Sequence, residues 1–179
     1  TQSHHDIGPI TAESDLPTAD GLELMLRVFD RVGLALVPTL EFTAPLPALE
    51  SLRQRTDPHS GGIELVGPGG LTWLEAHATE QKLTPHYNLL DPRVQQAALD
   101  VANEVLQRYG RHSSFKSLAV QLSSNGYGVL PGLEWGLDDT TIGRFEQETG
   151  VRLQADGTDR FAVRQTLLTG EHAELWQGW

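Results

Sequence analysis

Two strand-like segments, each following a well-signalled helix, constrain this chain more than any other feature. Asp20-Gly21-Leu22-Glu23 fits a capping box, with Asp20 as N-cap and Glu23 at the third helical position. Leu22, Met25, Leu26, Phe29 and Val32 then repeat at helical spacing, and Gly33 is a natural stop. Residues 34–42 follow at once and read as a strand apolar on both faces, as in a parallel sheet covered by helices. Pro38 lies inside this run and lacks a ladder donor, which predicts an edge or a bulge there. The pattern then recurs. Asp91-Pro92 opens a helix with the stripe Val94, Ala98, Val101, Val105 and Tyr109, Gly110 closes it, and residues 117–124 read as the second strand.

The intervening and following segments complete the order. Residues 1–19 are polar, carry Pro9 and Pro17, and read as an irregular arm; His4-His5-Asp6 fits a solvated arm better than a metal site. Residues 43–60 hold Pro45, Pro47 and Pro58 around a short helical stretch at Leu46–Arg53. Ile63 to Val66, Gly67-Pro68-Gly69-Gly70 and Leu71 to Trp73 predict a small β-hairpin insertion. Asp138 or Asp139 caps a helix that ends at Gly150, and a last helix is expected over 159–177. Helix, strand, insertion, helix, strand, helix, helix is an α/β order. It predicts one α/β domain over 1–179: a portion of a (β/α)8 TIM barrel with a small β-hairpin insertion, or a small open α/β domain. Two strands cannot close a barrel of ~250 residues. The barrel reading therefore makes the chain a piece of something larger, with open sheet edges that invite self-association.

Composition excludes several classes. The chain has 179 residues, 39% of them hydrophobic, enough for one real core. Its formal net charge of -11 argues against nucleic acid as a partner, because phosphate binding needs a basic surface. There is no cysteine, so disulfides and thiolate metal sites are excluded. No apolar run reaches the ~20 residues of a membrane helix. Dinucleotide, P-loop, nucleophile-elbow and zincin motifs are absent, so no cofactor is expected.

In a barrel, chemistry sits at the C-terminal ends of strands. Glu41 ends the first strand and is a candidate acid, base or nucleophile, against the plainer reading of a loop hydrogen-bond partner. Gln121, Ser123 and Asn125 alternate along the second strand and share one face, where polar groups need partners such as substrate hydroxyls, water or further strands. His86-Tyr87-Asn88 combines aromatic faces with an amide, as a sugar site does; a strand end with a structural tyrosine is the plainer alternative. Tyr127, Glu134 and Trp135 lie in the next loop, where a tryptophan beside carboxylates is either a sugar platform or a buried anchor. Carboxylate spacing is diagnostic: a pair ~5 Å apart supports retaining hydrolysis and ~6.5–9.5 Å inverting.

Asn88 to Val94, Arg108-Tyr109-Gly110, Phe115 to Gly128 and the Phe145–Gly150 helix end together resemble the middle of clan A glycoside hydrolases. The nearest likeness is to bacterial beta-galactosidase-like and family-10-like glycosyl hydrolases, over roughly 20–179 and best over 88–150. In that family a helix ending Arg-Tyr-Gly precedes a strand ending near Asn-Glu, whose glutamate is the acid/base. The resemblance carries the asparagine to Asn125, but Gly126 stands where the glutamate belongs. It places the nucleophile on a later strand, beyond Trp179. It therefore implies a protein that acts on or binds carbohydrate, with this chain inactive alone unless Glu41 or Glu134 replaces the acid. The alternative is a non-catalytic carbohydrate-binding or protein-interaction module.

Overall fold

The computed structural model describes residues 20–80, 84, 86–121, 126–127 and 132–179. The expected arm over 1–19 and the candidates Ser123 and Asn125 lie outside these. The elements run α1 (Gly21–Val32), β1 (Thr39–Glu41), α2 (Pro47–Arg53), a 3₁₀ turn (Pro68–Gly70), α3 (Trp73–Ala76), α4 (Pro92–Tyr109), β2 (Ala119–Gln121), α5 (Asp139–Thr149), α6 (Arg160–Thr169) and α7 (Ala173–Gly178). None of the described helices is long and apolar enough to cross a membrane.

The helices start and stop where local chemistry says. Asp20 accepts from the Glu23 amide at 3.0 Å, Asp91 from the Arg93 amide at 2.7 Å, and Asp138 from the Thr140 and Thr141 amides at 3.1 and 2.9 Å. Each satisfies donors that the first helical turn leaves open. Gly150 ends α5 at φ 77°, a left-handed conformation that costs glycine nothing. The reciprocal half of the capping box at α1 does not form. Glu23 instead accepts from Arg27 Nε and His112 Nε2, both at 2.8 Å. His112 Nδ1 lies 2.6 Å from Asp30 as well, so one imidazole ties α1 to the turn before β2. These bonds, led by the one from His112, hold the Glu23 carboxyl down at about 2.

Strands β1 and β2 pair in parallel, Thr39 with Ala119, Leu40 with Val120 and Glu41 with Gln121. Pro38 has the effect its missing N–H predicts. Before it the ladder survives only as an isolated parallel bridge from Leu36 to Phe115, and β1 begins after it.

The portion of a (β/α)8 TIM barrel is not what forms. Among the described residues the chain is mainly helical and its only sheet has two strands. Among the described residues no third parallel strand follows either helix-strand unit. Residues 63–66 instead make isolated antiparallel bridges, Glu64 with Tyr87 and Val66 with Thr72 around the 3₁₀ turn, so the expected hairpin is reduced to bridges. After Gly150 the chain runs without a strand into α6. The apolar run 34–42 predicts a strand covered on both faces, yet Leu34 and Val37 are 54% and 49% exposed; on the second strand Val120 is 53% exposed. Apolar continuity records a preference for burial; it does not supply the second layer.

Burial concentrates in three clusters. Leu26, Val105 and Tyr109 pack α1 on α4. Leu49, Ile63, Tyr87, Val94 and Tyr127 join α2 and α4 to the bridges. The largest gathers Val66, Leu137, Ile142, Phe145, Phe161, Leu168 and Trp176 around the last three helices. The single helix expected over 159–177 is broken between Thr169 and Ala173, where Gly170 leaves helical geometry at φ -116°, ψ -99°.

Candidate functional site

Residues 63–66 form the spine of the site. The Leu65 amide donates to the His86 carbonyl at 2.8 Å and the Asn88 amide to the Ile63 carbonyl at 2.7 Å. On the other side the Trp73 amide donates to the Leu65 carbonyl at 2.9 Å. This ladder sets the His86-Tyr87-Asn88 segment against α2. The Tyr127 amide donates to the Phe42 carbonyl at 2.8 Å, which brings Tyr127 in beside the end of β1.

Glu50 on α2 is the hub. Its Oε1 accepts from the Tyr87 hydroxyl at 2.6 Å and lies 3.1 Å from His86 Nε2, while Oε2 accepts from Arg53 Nε at 3.0 Å. Burial alone would push the Glu50 carboxyl up, but the bonds from Tyr87, Arg53 and His86 outweigh it and hold it below the usual carboxylate range. Arg53 also reaches Glu64, at a longer 3.6 Å. There burial dominates the pull of Arg53 and His86, and the Glu64 carboxyl is pushed up. Two carboxylates sharing one guanidinium are thus driven apart, one toward the ionised and one toward the protonated form. The rings of His86, Tyr87 and Tyr127 enclose this network, with centroids 4.2 to 5.2 Å apart. Burial, then Glu50, lifts the Tyr87 hydroxyl far above its ordinary value, so it acts as a neutral donor.

The structure brings some predicted residues together and separates others. Glu41 and Gln121 are register partners at the strand ends, and both are exposed. His86, Tyr87 and Tyr127 join in the network above, but each is buried, at 4%, 1% and 6% exposure. Asn88 goes elsewhere: its Nδ2 donates to Asp138 at 3.2 Å and Thr141 at 2.7 Å, and its Oδ1 accepts from the Leu90 amide. It fastens the segment to the start of α5. Trp135 is a buried anchor. It packs 4.8 Å from Trp73 and covers Gly67, where an added Cβ would sit 2.7 Å from the indole. Glu134, in the same loop, is half-buried, and neither it nor Glu41 forms an ion pair or side-chain hydrogen bond among the described residues.

Sequence reasoning missed Glu50, Arg53 and Glu64. Glu64 carried a signal, a lone charge inside the apolar run Ile63 to Val66. Glu50 and Arg53, three apart on a short helix, look like any surface pair until Tyr87 is placed beside them. Among the described residues no group of three or more acidic or histidine side chains is arranged to hold a metal ion.

The class that fold and site define is a helical protein with a two-stranded parallel sheet and a carboxylate–tyrosine–histidine network beside the strand ends. No family model, curated protein or solved structure matches the chain.

Proposed function

We propose that this chain binds carbohydrate at the end of its parallel strand pair, within a protein of glycoside hydrolase-like chemistry. The observation that carries the reading is the exposed register pair Glu41 and Gln121 at the strand ends, set near the network of Glu50, Arg53 and Glu64 with buried Tyr87, Tyr127 and His86. A carboxylate and an amide open to solvent can accept from and donate to sugar hydroxyls, while the buried rings serve as support beneath them. Glu50 is already committed to three partners and serves as support. Glu64 is the one carboxyl of this network pushed up, and it is the position from which a proton would be donated if the site hydrolysed.

The test is binding and turnover measured on the same preparation. Methyl glycosides should bind weakly, Glu41→Ala with Gln121→Ala should abolish that binding, and aryl glycosides should not be hydrolysed. General acid help is worth ~10²–10⁴-fold in rate. Robust turnover lost in Glu64→Gln would sink the binding-only reading and identify Glu64 as the acid. Absence of any sugar binding would sink the carbohydrate reading itself.

The exposed apolar residues favour a second reading, a protein-interaction module. Val32, Leu34, Val37 and Val120 are about half exposed or more, and among the described residues the two-stranded sheet leaves the outer edge of each strand unpaired. Such edges pair with other chains. Light scattering should show concentration-dependent self-association, weakened by Val37→Lys with Val120→Lys. A monomer at every concentration would remove this reading.

A further inference from the structure

A polar cavity of about 370 Å³ lies between α5, the 151–156 segment and α6, built from residues distinct from the strand-end network. Its volume is at the small end of ligand sites, enough for one ring-sized molecule. Two charge pairs form its walls. Asp139 accepts from Arg164 Nη1 at 2.7 Å, and Glu146 accepts from Arg152 Nη1 at 3.1 Å and from the Leu153 amide at 2.8 Å. Arg164 is 7% exposed, and Nη1 makes its described bonds, to Asp139 and the Leu137 carbonyl, which leaves Nη2 uncommitted among the described residues.

Gln154 supplies the second sign of a built site. It lines the cavity and is the non-glycine residue held at positive φ, 46°. A left-handed backbone at a residue with a side chain is strained, and such strain collects where a side chain must be aimed. The Gln154 side chain is exposed, and among the described residues its amide makes no hydrogen bond, so it is open to solvent or to a ligand in the cavity. Gly143 opens the α5 wall: an added Cβ there would meet nothing within 4 Å.

We infer that this cavity is a binding site for a neutral, hexose-sized sugar. A free anion would face Asp139, Glu146 and Asp156, and a free cation would face two guanidiniums. A hydroxyl both donates and accepts, so it can bridge a carboxylate oxygen and a guanidinium N–H at each wall. The Gln154 amide offers the same two roles without charge. The inference stands independently of the strand-end reading, because the two sites share no residue.

The experiment is amide-resolved NMR titration of the full chain with glucose, galactose and mannose, with inorganic phosphate and acetate as controls. Hexose should shift the amides of residues 142–143 and 152–156. Gly143→Leu adds a side chain into open space on a helix, so the fold should survive while binding weakens about tenfold or more. Gln154→Gly should raise the unfolding midpoint by relieving the backbone and should also weaken the sugar. Shifts confined to residues at the strand ends, shifts equal for phosphate and hexose, or hexose binding unchanged in a folded Gly143→Leu would each overturn the inference.

Discussion

Phe145→Ala is expected to lower the unfolding free energy by about 3–5 kcal/mol, the range for deleting a large aromatic side chain from a packed core. Phe145 is fully buried on α5. Its ring meets Trp176 edge-on at 5.1 Å and Trp179 at 5.5 Å, and it shares a core with Leu137, Ile142 and Leu168. Removing it leaves a void that two indoles, tied by their own N–H groups to the Leu133 carbonyl and Glu148, are poorly placed to fill. Natural domains have only ~5–15 kcal/mol in hand, so the loss should be plain in urea unfolding followed by tryptophan fluorescence. Phe145→Leu keeps most of the volume and should cost much less. A Phe145→Ala midpoint indistinguishable from the parent would show that the α5–α7 core is not packed as described.

Glu50→Ala is the second large effect, and its cause is polar. The Tyr87 hydroxyl is buried and donates to Glu50 Oε1, so truncation strands that donor, at a cost of roughly 1–3 kcal/mol. His86 loses the same oxygen, and Arg53 is left with Glu64 alone. Glu50→Gln keeps an acceptor oxygen for Tyr87 and should cost less than alanine, although its amide nitrogen cannot serve Arg53. Denaturation together with near-ultraviolet circular dichroism reads both effects, because Tyr87 and Tyr127 sit in contact. Equal stability of the alanine and glutamine variants would mean that Tyr87 does not depend on this bond. The two variants also separate support from chemistry. A residue that only holds Tyr87 and Arg53 in place should change sugar affinity in step with stability, whereas Glu64→Gln should change affinity or turnover with little change in folding.

The two strands and their parallel relation were legible in the sequence, since each strand-like segment follows a capped helix and returns in the same direction. The barrel was not there to be found. The expectation extended a repeat of two units to a closed sheet, and neither the 63–73 segment nor the stretch after Gly150 supplies another parallel strand. Likewise Tyr87 and His86 were visible as candidates, but their carboxylate partner lies 37 and 36 positions back along the chain, on a helix too short to announce a role. Trp135 was equally readable as platform or anchor, and only its packing over Gly67 settled it as an anchor.

By itself the sequence determined the boundaries of α1, α4 and α5. Asp20, Asp91 and Asp138 bond amides two or three residues away, and Gly33 and Gly150 close their helices through bonds to the preceding turn, so everything required is local. It also determined the break at Pro38, because a missing N–H is a property of one residue. The tertiary structure decided how many strands assemble, which apolar faces are covered, and which carboxylate meets which donor. Those outcomes depend on segments distant along the chain sharing one space, and no local hydrogen bond or periodicity encodes that meeting.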